Sequence, residues 1–364
     1  MRSHRGSGWA ACSDIERTRK TPEADALLFA GHQLTTVLVT GASGFVGRVL
    51  CRRLVECGCI VRAATHQSAC ATGCQLAPIG SLDGNTDWSG ALAGVDWVAH
   101  LAARVHVMRD ESRDPLTEFR RINLAGTQRL AQAASRAGVR RLVYLSSIKI
   151  HGEKSGDVPL SEEDVPAPAE PYAISKWEAE NALRRVSRDT GLEVAILRPP
   201  LVYGPGVKAN FRGLMDLAAT GVPLPFASID NRRTFIYVEN LVDAIVRCAS
   251  HPAAAGNTFL VGDGEDMSTA ELVRRLRGAM HKPARLIALR PSVLRAGAAL
   301  LGRSAAASRL LDSLQADITK IRTLLSWQPP FTAEQGLRVT CEDYLSSLAA
   351  SHRAQDRQST GVSF

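Results

Sequence analysis

Tyr172 and Lys176 stand four residues apart in Pro171-Tyr172-Ala173-Ile174-Ser175-Lys176, inside a run from Pro171 to Arg188 with helical periodicity. Residues i and i+4 share one face of a helix. An ammonium beside a phenol favours the phenolate and lowers the tyrosine pKa from about 10 toward working pH. A phenol tuned in this way is a general base for an alcohol or a general acid toward a carbonyl. Ser147 follows a short apolar run, Arg141 to Leu145, where its hydroxyl can hydrogen-bond the same substrate oxygen. A surface Tyr/Lys pair and a serine in a turn are both common by chance. The chemistry therefore depends on what the rest of the chain brings to these three side chains.

A second stretch supplies a candidate ligand site. Thr40-Gly41-Ala42-Ser43-Gly44-Phe45-Val46-Gly47 lies between a strand-like run, Leu34 to Val39, and a helical run, Arg48 to Glu56. Glycine permits a tight turn and close approach of a ligand to backbone, and the helix start offers free N–H groups with a partial positive charge. Phosphate suits such a place. The spacing is G-x-x-G-x-x-G, which departs from the G-x-G-x-x-G fingerprint of ordinary dinucleotide sites.

The elements that must position these residues can be read in order. Cys59 to Ala64, Gln75 to Ile79, Val95 to Leu101, Arg141 to Leu145 and Leu192 to Leu197 read as short strands. Pro115 to Ala137 and Pro171 to Arg188 read as helices, closed by Gly138 and Gly191. Short strands that are apolar throughout and alternate with helices predict an α/β fold, a Rossmann-type doubly wound parallel sheet. Ligands of such a sheet lie past the carboxyl ends of its strands. Gly41, Ala102-Ala103, Ser146-Ser147 and Arg198-Pro199-Pro200 all fall there.

From Leu201 the rhythm changes, with frequent proline and glycine. Phe235 to Val238 and Thr258 to Val261 read as strands, and Asn240 to Ala249 and Ser268 to Met280 as helices, with Ser268 and Glu271 spaced for a capping box. This predicts a disordered leader over 1–33 and a dinucleotide domain over 34–200 with segments returning near 232–262. A smaller, interleaved substrate domain follows over 201–348, then a flexible tail over 349–364.

The 364 residues suffice for a sizeable core, and 45% hydrophobic with 22% charged residues is ordinary for a globular protein. The net charge of +8 contains no block of like charges, and aromatics are only 5%, so nucleic-acid binding is not expected. Eight cysteines without a C-x-x-C pair predict reduced thiols, no metal and a cytoplasmic protein; Cys70-x-x-x-Cys74 is the only pair worth a note, and it is assigned no role. Residues 1–33 lack the apolar core of a secretory signal, and their acids argue against a transit peptide. Leu286 to Leu301 is apolar but broken by Arg290, Pro291 and Arg295, which predicts a helix on the domain surface instead of a membrane span, with peripheral membrane contact as a minor option.

Taken together, the glycine turn, His100-Leu101-Ala102-Ala103, Asn123, Ser146-Ser147, Tyr172/Lys176 and Arg198-Pro199-Pro200 with Tyr203-Gly204-Pro205-Gly206 occur in one order that resembles the extended short-chain dehydrogenase/reductases. The resemblance is to their NAD-dependent epimerase/dehydratase, or nucleotide-sugar, branch and spans about Thr36 to Tyr344. It implies NAD or NADP as cofactor, a UDP-sugar as substrate and a homodimer, with the Asn123 and Tyr172 helices as the candidate dimer helices. Ser147, Tyr172 and Lys176 are the implied catalytic residues. Gly41, Ser43, Gly44, Phe45, Val46 and Gly47 would hold the dinucleotide, together with Arg62, Leu101, Ala102, Ala103, Asn123, Tyr172, Lys176 and Pro199. Substrate contacts would come from Ser147, Lys149, Tyr172, Asn210 and Arg233, the last suited to a diphosphate.

Two departures narrow the reaction. Sugar 4,6-dehydratases of this kind carry an Asp/Glu pair where Ile148 and Lys149 stand, which excludes dehydration, and many 4-epimerases carry tyrosine where His151 stands. Strand two lacks the usual ribose-binding acid: no Asp or Glu occurs between Glu56 and Asp83, whereas Arg62 and His66 do. NADP is then as plausible as NAD, and an exchanging cofactor suits a reductase. The runs around these motifs look most like bacterial enzymes that reduce UDP-2-acetamido-2,6-dideoxy-4-keto-hexose to UDP-N-acetylquinovosamine or its 4-epimer for surface polysaccharides. The alternative is 4-epimerisation of UDP-glucose or UDP-N-acetylglucosamine, and a non-catalytic dinucleotide-binding protein is a third class.

Overall fold

The computed structural model describes residues 35–65, 72–105 and 114–359, with side chains through Ser351. The chain opens with β1 (Thr36–Thr40), α1 (Phe45–Glu56), β2 (Ile60–Thr65), β3 (Gln75–Pro78), α2 (Ser89–Leu92) and β4 (Trp97–His100). Then come α3 (Pro115–Phe119), α4 (Thr127–Arg136), β5 (Arg141–Leu145), α5 (Pro171–Thr190) and β6 (Glu193–Arg198). The second half holds β7 (Leu201–Tyr203), α6 (Ala209–Ala219), β8 (Arg233–Tyr237), α7 (Val238–Ser250), β9 (Thr258–Leu260), β10 (Asp266–Met267) and α8 (Thr269–Ala279). It ends with α9 (Pro291–Leu300), α10 (Ser304–Leu311), α11 (Thr319–Leu324) and α12 (Ala333–Ser359).

Seven strands form one parallel sheet in the order β3-β2-β1-β4-β5-β6-β9. Alternation along β1 splits its side chains between two layers. Val37 and Val39 pack with Leu50 and Leu54 of α1 and Leu241 and Ile245 of α7. Leu38 faces the other way, toward Leu130 of α4 and Leu183 of α5. Helices on both faces explain why the strands read as continuous apolar runs. The chain reverses direction across the sheet between β1 and β4, and the candidate residues gather beyond the carboxyl ends there.

Several expectations are refined. Phe235 to Val238 is a strand, shifted to Arg233–Tyr237, yet it leaves the large sheet and pairs with β7 and β10 in a three-stranded sheet. The returning segments are α7 and β9, the latter extending the large sheet beside β6. The predicted helix from Pro115 is interrupted by a π-turn at Arg120–Gly126. Ser268 caps α8 by accepting from Glu271 N–H at 3.0 Å, as its spacing predicts. The last helix continues through Ser359, into the segment expected as a flexible tail, because residues 349–359 contain neither glycine nor proline. The leader, His66 and Cys70 lie outside the described residues. Among the described residues no helix is long and apolar enough to cross a membrane, and no cluster of His, Cys, Asp or Glu suits a metal.

Candidate active site

The glycine turn is built by contacts that exclude a side chain. Gly41 has φ +71°, and a Cβ on it would meet the Ala102 backbone nitrogen at 2.8 Å. A Cβ on Gly47 would stand 2.1 Å from the Gly41 carbonyl oxygen, so α1 can approach the turn only with glycine there. Gly44 donates to the Gly41 carbonyl at 2.9 Å and begins α1, whose start carries no acidic residue and no capping side chain. The first N–H groups of that helix are thus left for an anion.

A cleft of about 710 Å³ runs from this turn to the tyrosine. Gly41, Ser43, Gly44, Phe45, Val46 and Gly47 line one end. Leu101, Ala102 and Ala103 form its middle, where β4 ends in small residues and Thr40 Oγ1 accepts from Ala102 N–H at 3.1 Å. Tyr172 and Lys176 line the other end with Leu145 and Ser146. Ser81, Arg104, Arg121 and Val202 also line it, without having been singled out from the sequence. Ser146 had one readable signal, its place beside Ser147 at a strand end. Its buried hydroxyl has no hydrogen-bond partner among the described residues, so a polar ligand group there would satisfy it.

Tyr172 sits in the first turn of α5, with Pro171 at its start. The Ser147 side chain lies close enough to act on its phenol. Burial pushes the phenol up to about 12, and Ser147 partly opposes this. The expected lowering by Lys176 is therefore not what the structure shows. Lys176 Nζ donates to the Leu145 carbonyl at 2.6 Å and lies 4.3 Å above the Tyr144 ring. Burial lowers its own pKa to about 7, with Glu180 pulling the other way. Beneath the cleft, His100 bridges Thr40 at 2.7 Å and Thr127 at 2.8 Å, and burial followed by the Lys176 charge holds its pKa at about 3.

Asn123 lies in the π-turn and is buried outside the cleft lining. Its Oδ1 accepts from Arg104 N–H at 2.8 Å, and its Nδ2 donates to the Arg104 carbonyl and to Ser175 Oγ, each at 3.0 Å. Ser175 donates to the Tyr172 carbonyl at 2.7 Å. One amide thus ties the cleft wall to the tyrosine helix. About two turns after Tyr172 on that helix, Glu180 holds Arg198 of β6 through bonds of 3.0 and 2.7 Å. Arg198 also contacts His151 Nε2 at 2.9 Å, and burial followed by the Arg198 charge holds that imidazole at about 4, in its neutral form.

The remaining candidates lie farther out. Arg62 donates to the carbonyls of Ala91 and Ala93 at the end of α2 and does not line the cleft. Thr65 ends β2 at the position where a ribose-binding acid would stand. Pro199 accepts from Ile148 N–H at 3.0 Å, fixing the turn after Ser147. Lys149 pairs with Glu170 at 2.9 Å, directly before Pro171. Arg233 donates to the Asp312 carbonyl at 2.8 Å, and Asn210 is exposed in the first turn of α6.

Similarity to known proteins identifies the family of the chain. Residues 37–262 match the model of the family described as NAD dependent epimerase/dehydratase. A UDP-glucose 4-epimerase of Vibrio cholerae is 41% identical over 315 residues, covering 86% of this chain and 96% of that protein. A second UDP-glucose 4-epimerase, from Mycolicibacterium smegmatis, is 32% identical and covers 84% and 97%. Among solved structures, a UDP-glucuronic acid 4-epimerase from Bacillus cereus in complex with NAD superposes with a TM-score of 0.69 at 24% identity, covering 86% of this chain and 99% of that one. With the family model matching well over half of the chain, this protein belongs to the NAD dependent epimerase/dehydratase family.

Proposed function

We propose that the protein is an NAD(P)-dependent enzyme that inverts C4 of a UDP-hexose or UDP-N-acetylhexosamine. The observation that carries this is Tyr172, with Ser147 acting on its phenol, at one end of a cleft whose other end is the glycine cradle. Similarity to the Vibrio cholerae UDP-glucose 4-epimerase over nearly its whole length supports epimerisation over reduction.

The cradle fits a dinucleotide: Gly41 and Gly47 admit no Cβ, its helix start is uncapped and the Ser146 hydroxyl lacks a partner among the described residues. Gly44, Phe45 and Val46 would take the pyrophosphate, with Ala102, Ala103 and Lys176 along the ribose and nicotinamide. The chemistry expected of a bound dinucleotide is reversible hydride exchange at the sugar carbon. Tyr172 takes the proton of the C4 hydroxyl and returns it after the keto sugar has presented its other face. Ser147 donates to or accepts from the same oxygen and so keeps it beside the phenol. Protonated Lys176 lowers the cost of the phenolate whenever its ammonium turns from the Leu145 carbonyl toward Tyr172. Arg233, with donors beyond the one used on Asp312, and Asn210 are the groups proposed for the nucleotide diphosphate.

A second reading, reduction of a UDP-4-keto-6-deoxy-N-acetylhexosamine, is favoured by one feature. Thr65 replaces the ribose-binding acid, which removes repulsion toward a 2′-phosphate and suits an exchanged NADPH. Purified protein given UDP-glucose and UDP-N-acetylglucosamine separates the two. A 4-epimer formed without net NAD(P)H consumption supports the first. Oxidation of NAD(P)H only with the keto substrate replaces it by the second. Tyr172→Phe is expected to lose about 10²–10⁴ of turnover while keeping dinucleotide affinity. Turnover near the wild-type value in that variant would remove the tyrosine from the mechanism.

A further inference from the structure

Residues 272–311 contain nine lysines and arginines and no acidic residue, against a net charge of +8 for the whole chain. Five of the nine are engaged by the protein itself. Arg274 and Arg275 pair with Glu271, Arg295 with Asp312, and Arg309 approaches Glu170, whereas Arg277 is buried against backbone carbonyls. Lys282, Arg285, Arg290 and Arg303 are exposed and have no carboxylate partner among the described residues.

Among these four cations lies α9. Val293, Ala296, Gly297 and Leu300 follow at i, i+3, i+4 and i+7, which puts them on one helix face. All four are exposed, and Leu300 and Leu301 are 89% and 75% accessible. The core takes the other side: Leu294, with Ala307 and Leu310 of α10, packs against Leu224, Phe226 and Leu311. A surface helix ordinarily turns polar residues outward once its core stripe is buried. Here the outward stripe is apolar as well, and the charges around it without a carboxylate partner among the described residues are all cationic.

We propose that this face of α9 docks on the surface of a bilayer rich in anionic lipid. Leu300, Leu301 and Val293 would enter the headgroup–acyl boundary, and Lys282, Arg285, Arg290 and Arg303 would meet headgroup phosphates. Charge complementarity selects that occupant. A second copy docked face to face would bring like charges together around the leucines, whereas an acidic lipid surface neutralises them. The segment after the face also adjoins Arg233 and the start of the tyrosine helix, whose N-cap residue is Glu170. Arg309 of α10 stands 4.0 Å from Glu170, and the next residue after α10, Asp312, supplies the carbonyl that Arg233 holds. The inference is independent of whether the enzyme epimerises or reduces.

Flotation of the full chain with vesicles of phosphatidylglycerol mixed with phosphatidylcholine, against vesicles of phosphatidylcholine alone, tests it. The protein is expected on the anionic vesicles only, and less of it as salt is raised. Arg290→Gln with Arg303→Gln should weaken binding roughly 25-fold, from about fivefold per charge near the surface. Leu300→Ser with Leu301→Ser should weaken it at least about tenfold, from the loss of two apolar side chains. Both pairs are exposed, so unchanged melting temperatures are expected and certify the fold. Absence of wild-type binding, equal binding to neutral vesicles, or variants that bind like wild type would each overturn the proposal. So would a dimer that the leucine variant dissociates without any vesicle binding, since the face would then belong to a second copy.

Discussion

Replacing Asn123 by leucine tests how the site is held together. The two side chains branch alike, so the substitution keeps shape and removes only hydrogen bonding. Three bonds are lost: from Arg104 N–H at 2.8 Å, to the Arg104 carbonyl at 3.0 Å and to Ser175 Oγ at 3.0 Å. At about 1 kcal/mol each the sum is ~3 kcal/mol, and water reaching half-buried Arg104 recovers part of it, leaving a loss of about 2–3 kcal/mol. Urea unfolding of the variant and the parent measures this directly. Arg104 forms part of the cleft wall, and Ser175 bonds the Tyr172 carbonyl, so the loss is felt at both ends of the reaction geometry. Displacing the tyrosine helix by about an ångström would cost on the order of 10² in turnover. A variant less than about 1 kcal/mol weaker, with full turnover, would refute Asn123 as the tie between wall and tyrosine.

Two further outcomes follow from the same geometry. Gly47→Ala puts a Cβ 2.1 Å from the Gly41 carbonyl, which forces the turn open; dinucleotide titration should show affinity lost, and an unchanged affinity would contradict the cradle. His100 is held neutral, with its pKa lowered from 6.5 to about 3, so the unfolded imidazole binds a proton over that window and the folded one does not. Stability should fall as pH drops from 6.5 toward 3 and be flat in this contribution above 6.5; the same slope in His100→Gln would assign it to other groups.

The parts legible in the sequence are those written in short-range signals. The glycine spacing and the Tyr172/Lys176 interval each express one local geometry, a turn before a helix and a shared helix face, and both lie on the cleft. The parts that escaped depend on where a side chain finds its partner across the fold. Nothing near Arg62 in sequence reveals that its guanidinium reaches the carbonyls of Ala91 and Ala93. Lys176 has the right spacing to meet the phenol, yet the Leu145 carbonyl at the end of a neighbouring strand holds its ammonium. A single π-turn barely disturbs apolar periodicity, so the interruption that carries Asn123 does not show in the pattern. An apolar run such as Phe235 to Val238 specifies a strand without specifying a sheet, and Tyr203 and Asn240, both bonded to Asp263, help fix β8 in the smaller one.

The central claim is hydride exchange at C4 with Tyr172 moving the proton. Incubation of the purified protein with UDP-glucose or UDP-N-acetylglucosamine carrying deuterium at C4, followed by nuclear magnetic resonance of the products, addresses it most directly. The account predicts a 4-epimer that keeps its deuterium at C4, because hydride leaves and returns without meeting solvent. Deuterium lost to water, or an epimer formed equally well by Tyr172→Phe, would contradict it.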